Sequence, residues 1–298
     1  MRLAAPFATP TAAPSDLPRP RDDELDLFGL THPGLVRAEN QDQFLLCTVH
    51  PQVVLHGTSL PDPGGLALRG QRLATILLVA DGVGGSAAGS VASRLATEAV
   101  TRYVASSLRY HAPNAACEEE FVRSLHAAAI EAHAVVRAES QARPDRRDMA
   151  TTLSLGVVVW PWLYVLQVGD SRVYCFQHGA LKQVTRDQTI AQDLVERGVL
   201  SRERAHASPL SHVLSSAIGA SDPAPEVTRV DVAVRGTVVL VCSDGLTKHV
   251  TDAEIEQQLR TLESAEQVCR SLLALALERG GTDNVTIVVG RARRRAAG

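Results

Sequence analysis

Short apolar runs and helical stripes alternate along the chain from residue 25 onward, and they change period as they go. Strand-like runs come first, at Leu25–Thr31, Asp42–Val49 and Leu73–Ala80. Residues 50–72, rich in Pro and Gly, predict a long loop or hairpin insertion between the last two. The period then becomes helical. Ser86 can cap a helix whose Val91, Leu95, Ala99 and Tyr103 share one face. A second helix carries Phe121, Leu125, Ala128, Ala132 and Val135 in register.

A β-rich block follows: "TTLSLGVVVW", "LYVLQVGD" and "RVYCFQHG". Turn signals at Pro161 and Gly169-Asp170-Ser171 separate the three runs and predict a meander. "IAQDLVERGVL" reads as a polar helix, and "TVVLVCSDG" as a buried strand ending in an aspartate. Val268, Leu272 and Leu275 mark a late helix stopped by Gly280-Gly281, before a closing strand "NVTIVVG". Strands, helices, strands, helices, without strict βαβ alternation, predict an α+β fold of antiparallel sheets covered by helices.

Composition adds boundaries. Residues 1–23 are rich in Pro, Ala and Thr and lack a period, which predicts a disordered arm. Residues 293–298 form a short basic tail, and 24–292 are left as one domain. The chain has 298 residues, 45% apolar and 21% charged, ordinary for a globular protein with a sizeable core. A net charge of −3 gives no footprint for nucleic acid. No apolar run is long enough to span a membrane, and the first residues lack the apolar core of a signal peptide. Five scattered cysteines without a CxxC pair predict reduced thiols and a cytoplasmic protein.

The chemistry lies where apolar runs stop. Asp81 follows "TILLVA", Asp244 follows "VVLVCS", Asp283 precedes "NVTIVV" and Asp42 precedes "QFLLCTV". One such aspartate is ordinarily a turn former. Four of the same pattern, gathered at one sheet edge, would repel each other unless a cation sits among them. Oxygen-only ligands suit Mg2+ or Mn2+, and the ten histidines show no HxH or HExxH zinc pattern. "GVGGSA" after Asp81 fits a dinucleotide fingerprint, but the aspartate would repel a pyrophosphate, and no acidic residue ends a second strand about 20 residues on. After Cys242, the cysteine that ends an apolar run, the sixth position is Lys248 and not the Arg of C-x5-R, and no D-x-D follows a strand, so neither a phosphocysteine nor a phosphoaspartate enzyme is indicated.

The ordered set "THPGLVRAENQD", "VADGVGG", "MATTL", "VGDSRVY", "LKQVTRDQT", "VLSSAIG", "VCSDGLT" and "GGTDNVTIVV" resembles the metal-dependent protein serine/threonine phosphatases, the PPM or type 2C family, in its bacterial branch. The likeness covers roughly residues 25–290. It implies a four-layer α/β/β/α sandwich with two central antiparallel sheets. It also implies hydrolysis of phosphoserine and phosphothreonine by a hydroxide bridging two Mn2+ or Mg2+ ions. By the same resemblance Asp81 bridges the metals, the Gly82 carbonyl binds one, and Asp244 and Asp283 complete the second. Asp42 is a ligand or an acceptor for metal-bound water. Arg37 would grip phosphate through its planar fork. Bacterial relatives often hold a third ion, for which Asp148 is the candidate and Asp145 the alternative.

Asn284 is expected to orient Asp283, and Asp170 to shape a turn and pair with Arg172. Residues 187–222 correspond to the family's variable flap and are expected to govern substrate choice. Gln41 stands where many relatives have Glu, and His32 where Asp is common; neither is expected to disturb the metals. Val83 stands where eukaryotic relatives place a proton-donating histidine. The expected partners are phosphorylated proteins, among them a cognate Ser/Thr kinase, and the expected state is a monomer. The alternatives are a phosphatase-fold regulator that binds phosphoprotein with little turnover, and a hydrolase of small phosphate esters.

Overall fold

The buried run of residues 74–80 lies in a strand whose two faces both meet apolar partners. β3 (Ala74–Val83) turns Ile76, Leu78 and Ala80 toward a helical layer, and Leu77 and Val79 toward a second sheet. A strand covered on both faces reads as a continuous hydrophobic run, as this one does. The computed structural model describes residues 18–52, 54–55, 68–84, 88–107, 115–206, 208–220 and 222–293.

The other strands are β1 (Leu25–His32), β2 (Asp42–Val49), β4 (Ala150–Thr151), β5 (Leu153–Val159), β6 (Trp162–Val168), β7 (Arg172–Gln177), β8 (Ala180–Gln183), β9 (Glu226–Asp231), β10 (Val238–Cys242) and β11 (Val285–Ala292). One sheet has the order β1-β11-β10-β7-β8, the other β2-β3-β5-β6-β9, with β4 paired to the end of β3. The pairings are antiparallel. Between the sheets lie Leu77, Val79, Leu163, Val173, Val241 and Val288, among others.

Helices α1 (Ala88–Ser107) and α2 (Ala115–Ala142) cover the β2-β3-β5-β6 face. Buried Ala92, Ala96, Ala128 and Ala132 keep both helices close to each other and to the sheet, and Phe121 meets Tyr164 edge-on at 4.9 Å. α5 (Asp244–Thr247), α6 (Asp252–Thr261) and α7 (Ala265–Glu278) cover the other sheet. Capping boxes Thr251/Glu254 and Ser264/Gln267 set where α6 and α7 begin. The expected α/β/β/α sandwich is thereby found.

Local differences from the sequence reading have physical causes. β3 does not stop at Ala80: it runs on through Asp81 to Val83, because β4 offers partners to Gly82 and Val83. The cap expected at Ser86 lies outside the described residues. Of the 50–72 insertion, Gln52 and Arg69 close an antiparallel bridge. Residues 18–23 pack on the body: Arg19 donates to the Leu73 carbonyl at 2.9 Å, and Arg72 bonds Asp22 and the Pro20 carbonyl. In the 187–222 stretch lie α3 (Ile190–Glu196), α4 (Arg202–His206) and a 3-10 turn at Pro209–His212.

Candidate metal and phosphate site

The β2/β3 register sets Asp42 directly opposite Asp81. Asp42 is 2% exposed, and its Oδ2 accepts from Ser243 Oγ at 2.8 Å and Thr286 Oγ1 at 2.7 Å. Its Oδ1 is buried without a hydrogen-bond partner. Burial first of all, with Asp244 nearby, pushes the Asp42 carboxyl up to about 6. The Asp81 backbone is fixed by two threonines beside β4. Its N–H donates to Thr152 Oγ1 at 2.9 Å, and its carbonyl accepts from Thr151 Oγ1 at 2.9 Å. Desolvation, then Asp42, Asp244, Asp170 and Asp283, raises the Asp81 carboxyl well above the usual carboxylate range.

Gly82 is a glycine because the chain is crowded there. A Cβ would stand 2.3 Å from the Gly89 carbonyl oxygen and 2.7 Å from that of Gln41. Asp244 opens α5 directly after β10, and Asp283 lies just before β11. Asp244 Oδ1 is buried and unpartnered, while Oδ2 lies 2.6 Å from Lys248 Nζ. Lys248 Nζ also donates to Asp283 Oδ2 at 2.7 Å. Arg37 clasps the same carboxylate, with Nε 2.8 Å from Oδ1 and Nη2 3.0 Å from Oδ2. Burial pushes Asp283 up, but Lys248 and Arg37 more than offset it and hold its carboxyl below the ordinary value.

Asn284 acts on Asp283 through its backbone, its N–H donating to Asp283 Oδ1 at 3.0 Å. The Asn284 side chain instead secures the loop that carries Arg37: it donates to the Pro33 and Glu39 carbonyls and accepts from the Gln41 N–H, each at 2.9 Å.

These groups open on one cleft of about 920 Å3, lined by Arg37, Asp81, Gly82, Asp244, Lys248 and Asp283 among others. Asp148 also lines it, in left-handed backbone (φ +61°), a conformation that for a non-glycine residue often marks function. Asp145 sits outside the cleft lining, beside Arg146. Part of the 187–222 stretch forms a wall, from His212 to Ala217.

Asp170 departs from expectation. Arg172 bonds Asp187, with Nη2 2.7 Å from Oδ2, and Tyr174, and not Asp170. Asp170 lines the cleft instead, and burial, then Asp244 and Asp187, pushes its carboxyl up to about 8. Its sequence signal was the one shared by Asp81 and Asp244, an aspartate closing an apolar run, in "LYVLQVGD". Lys248 was also missed; its spacing of four from Asp244 places it one helical turn on.

Among the described residues no three His, Cys, Asp or Glu side chains form a ready cation cage. The cluster nevertheless suits hard divalent ions. Its donors are all oxygen, and two buried carboxylate oxygens, on Asp42 and Asp244, have no partner of their own. Carboxylates gathered this closely with raised protonation lack positive charge.

Comparison with known proteins agrees. A family model described as Protein phosphatase 2C matches residues 65–282. The serine/threonine protein phosphatase PstP of Mycobacterium tuberculosis is 36% identical over 216 residues, 72% of this chain but only 40% of that protein's length. The serine/threonine phosphatase stp of Listeria monocytogenes is 29% identical over 214 residues, 72% of this chain and 83% of that one. A crystal structure of M. tuberculosis PstP superposes with a TM-score of 0.73 at 30% identity, covering 91% of this chain and 99% of that one. The PstP catalytic domain in complex with two manganese ions gives a TM-score of 0.70 at 29% identity, with the same coverage.

Proposed function

This chain belongs to the protein phosphatase 2C family, and from that premise we propose that it hydrolyses phosphoserine and phosphothreonine in proteins with the help of divalent metal ions. The observation that carries the reading is the convergence of Asp81, Asp244 and Asp283, from two sheets, on one cleft with an arginine at its edge and Asp42 buried opposite Asp81. Asp81, the Gly82 carbonyl, Asp244 and Asp283 would hold two Mn2+ or Mg2+ ions, with Asp42 beside them. Asp148 would serve a third. Such ions supply a strong nucleophile from water at neutral pH and a Lewis acid for the phosphoryl oxygens.

The chain's own residues do the rest. Arg37 is largely exposed, its side chain at 58%, and its fork is free to turn from Asp283 to a phosphate. Ser243 and Thr286 hold Asp42 Oδ2, so that carboxylate is fixed as an acceptor facing Asp81. Val83 can donate no proton to the leaving oxygen; His212 is the imidazole among the described lining residues.

Phosphoproteins, a cognate kinase among them, are the proposed substrates, and the 187–222 wall would select them. Among the described residues no helix is long and apolar enough to cross a membrane. Cys47, Cys175, Cys242 and Cys269 are free thiols, which supports placement in a reducing cytoplasm. The test compares kcat/KM on phosphothreonine peptides and on p-nitrophenyl phosphate with Mn2+ present. Preference for the peptides supports the reading. Turnover of the small ester alone points to a small-molecule hydrolase, and binding of phosphopeptide without turnover to a regulator.

A further inference from the structure

Lys248 occupies a place no ordinary surface lysine takes. Its Nζ lies 2.6 Å from Asp244 Oδ2 and 2.7 Å from Asp283 Oδ2, so one ammonium joins two carboxylates from different parts of the chain. The side chain is 23% exposed and lines the cleft. Its backbone is anchored, because the Lys248 N–H donates to the Asp244 carbonyl at 2.8 Å as α5 ends and Val250 two residues on is buried, while the side chain can still turn. Among the described residues no lysine or arginine pairs with Asp42 or Asp81. The positive charge is thus confined to one half of the carboxylate cluster.

We infer that Lys248 is a tethered cation that competes with one of the two divalent ions for Asp244 and Asp283, making that ion the weaker-bound of the pair. The inference rests on the function proposed above. A divalent ion held by both carboxylates would need the oxygens the ammonium now occupies, since an ion such as Mg2+ takes its oxygen ligands at about 2.0–2.1 Å. Two positive charges cannot be held so closely, so the ammonium must withdraw before the ion enters. That exchange breaks two charge-assisted hydrogen bonds, and the loss is subtracted from the ion's affinity. The ion at Asp81 and Gly82 displaces no such group. The consequence is staged loading: one ion held firmly, the other only when divalent ion is plentiful. Lys248 is an affinity-setting residue for that ion.

The test is calorimetric titration of Mn2+ into the chelated full chain, for wild type, Lys248→Met, Lys248→Gln and Lys248→Arg, with melting curves in chelator confirming that each is folded. With Asp148→Ala as the common background, which removes the proposed third ion, the protein with Lys248 intact should show two unequal classes of site. Either neutral variant should tighten the weaker class by at least about tenfold, the worth of one charge-assisted hydrogen bond, and leave the tighter class unchanged. Lys248→Arg, which keeps the charge, should keep the gap. Two classes whose gap is unmoved, or widened, in both neutral variants would overturn the role of Lys248 alone. Absence of Mn2+ binding in wild type would overturn it together with the proposed function.

Discussion

Asp42 and Asp81 are direct cross-strand partners, their Cα atoms set opposite each other by the antiparallel register of β2 and β3. Like charges in that relation are destabilising. The pair is tenable with a proton or with a cation, and burial together with the neighbouring carboxylates pushes the carboxyls of Asp42, Asp81 and Asp170 upward, toward the protonated form.

A pH dependence follows with a definite sign. These carboxyls keep their protons to higher pH in the folded chain than in the unfolded one. Above about pH 4, where unfolded aspartate ionises, the folded state therefore binds more protons, and stability falls as pH rises. The fall spans the window from about pH 4 through about 6 for Asp42 and about 8 for Asp170. In chelator, the melting temperature should drop between pH 5 and pH 8, and saturating Mn2+ should reverse the drop at pH 8. A chelated melting temperature that is flat or rises over that range would contradict the reading.

Asp81→Ala and Asp283→Ala should each lower kcat on a phosphothreonine peptide by at least about a hundredfold, because each removes a carboxylate meant for the ions that provide the nucleophile. Steady-state phosphate release with Mn2+ in excess checks this. A loss below tenfold would place that aspartate outside the machinery.

Arg37→Ala should raise KM and lower kcat without weakening Mn2+ binding. The guanidinium has donors for phosphate and none for a cation, and it bonds both oxygens of Asp283. Calorimetry beside kinetics decides: Mn2+ affinity that falls along with activity would make Arg37 a structural support for the Asp283 loop.

The sandwich was legible because its strands bury both faces and therefore read as unbroken apolar runs, "TILLVA" and "VVLVC" above all. The four clustered aspartates, Asp42, Asp81, Asp244 and Asp283, were legible for the same reason, each beginning or ending such a run. Pairing was not. The approach of Asp42 to Asp81 depends on a register closed across the 50–72 insertion, and nothing local encodes it. The extension of β3 past Asp81 depends on β4, about 70 residues away, a tertiary partner with no trace in the glycine-rich sequence itself. Asp170 carried the right signal, but Arg172 two residues on offered a simple partner. In the fold, Asp170 lies in the bend before β7 and lines the cleft, while Arg172 opens β7 and bonds Asp187. Lys248 reads as one more helical charge until Asp283 arrives from another part of the chain.

Gly82→Ala should damage fold and metal binding together. The added methyl would lie 2.3 Å from the Gly89 carbonyl oxygen, and backbone atoms there must move apart to admit it. Overpacking of this kind costs about 1–3 kcal/mol. Melting in chelator and Mn2+ titration should both show a loss. An unchanged melting temperature would mean the 41, 82 and 89 segments are looser than this packing requires.

The most direct test of the account is phosphate release from a phosphothreonine peptide by the chelated full chain, measured before and after adding back Mn2+. The account predicts no turnover above background without metal and full recovery with it. Undiminished turnover in excess chelator would contradict the claim that the aspartate cluster works through divalent ions.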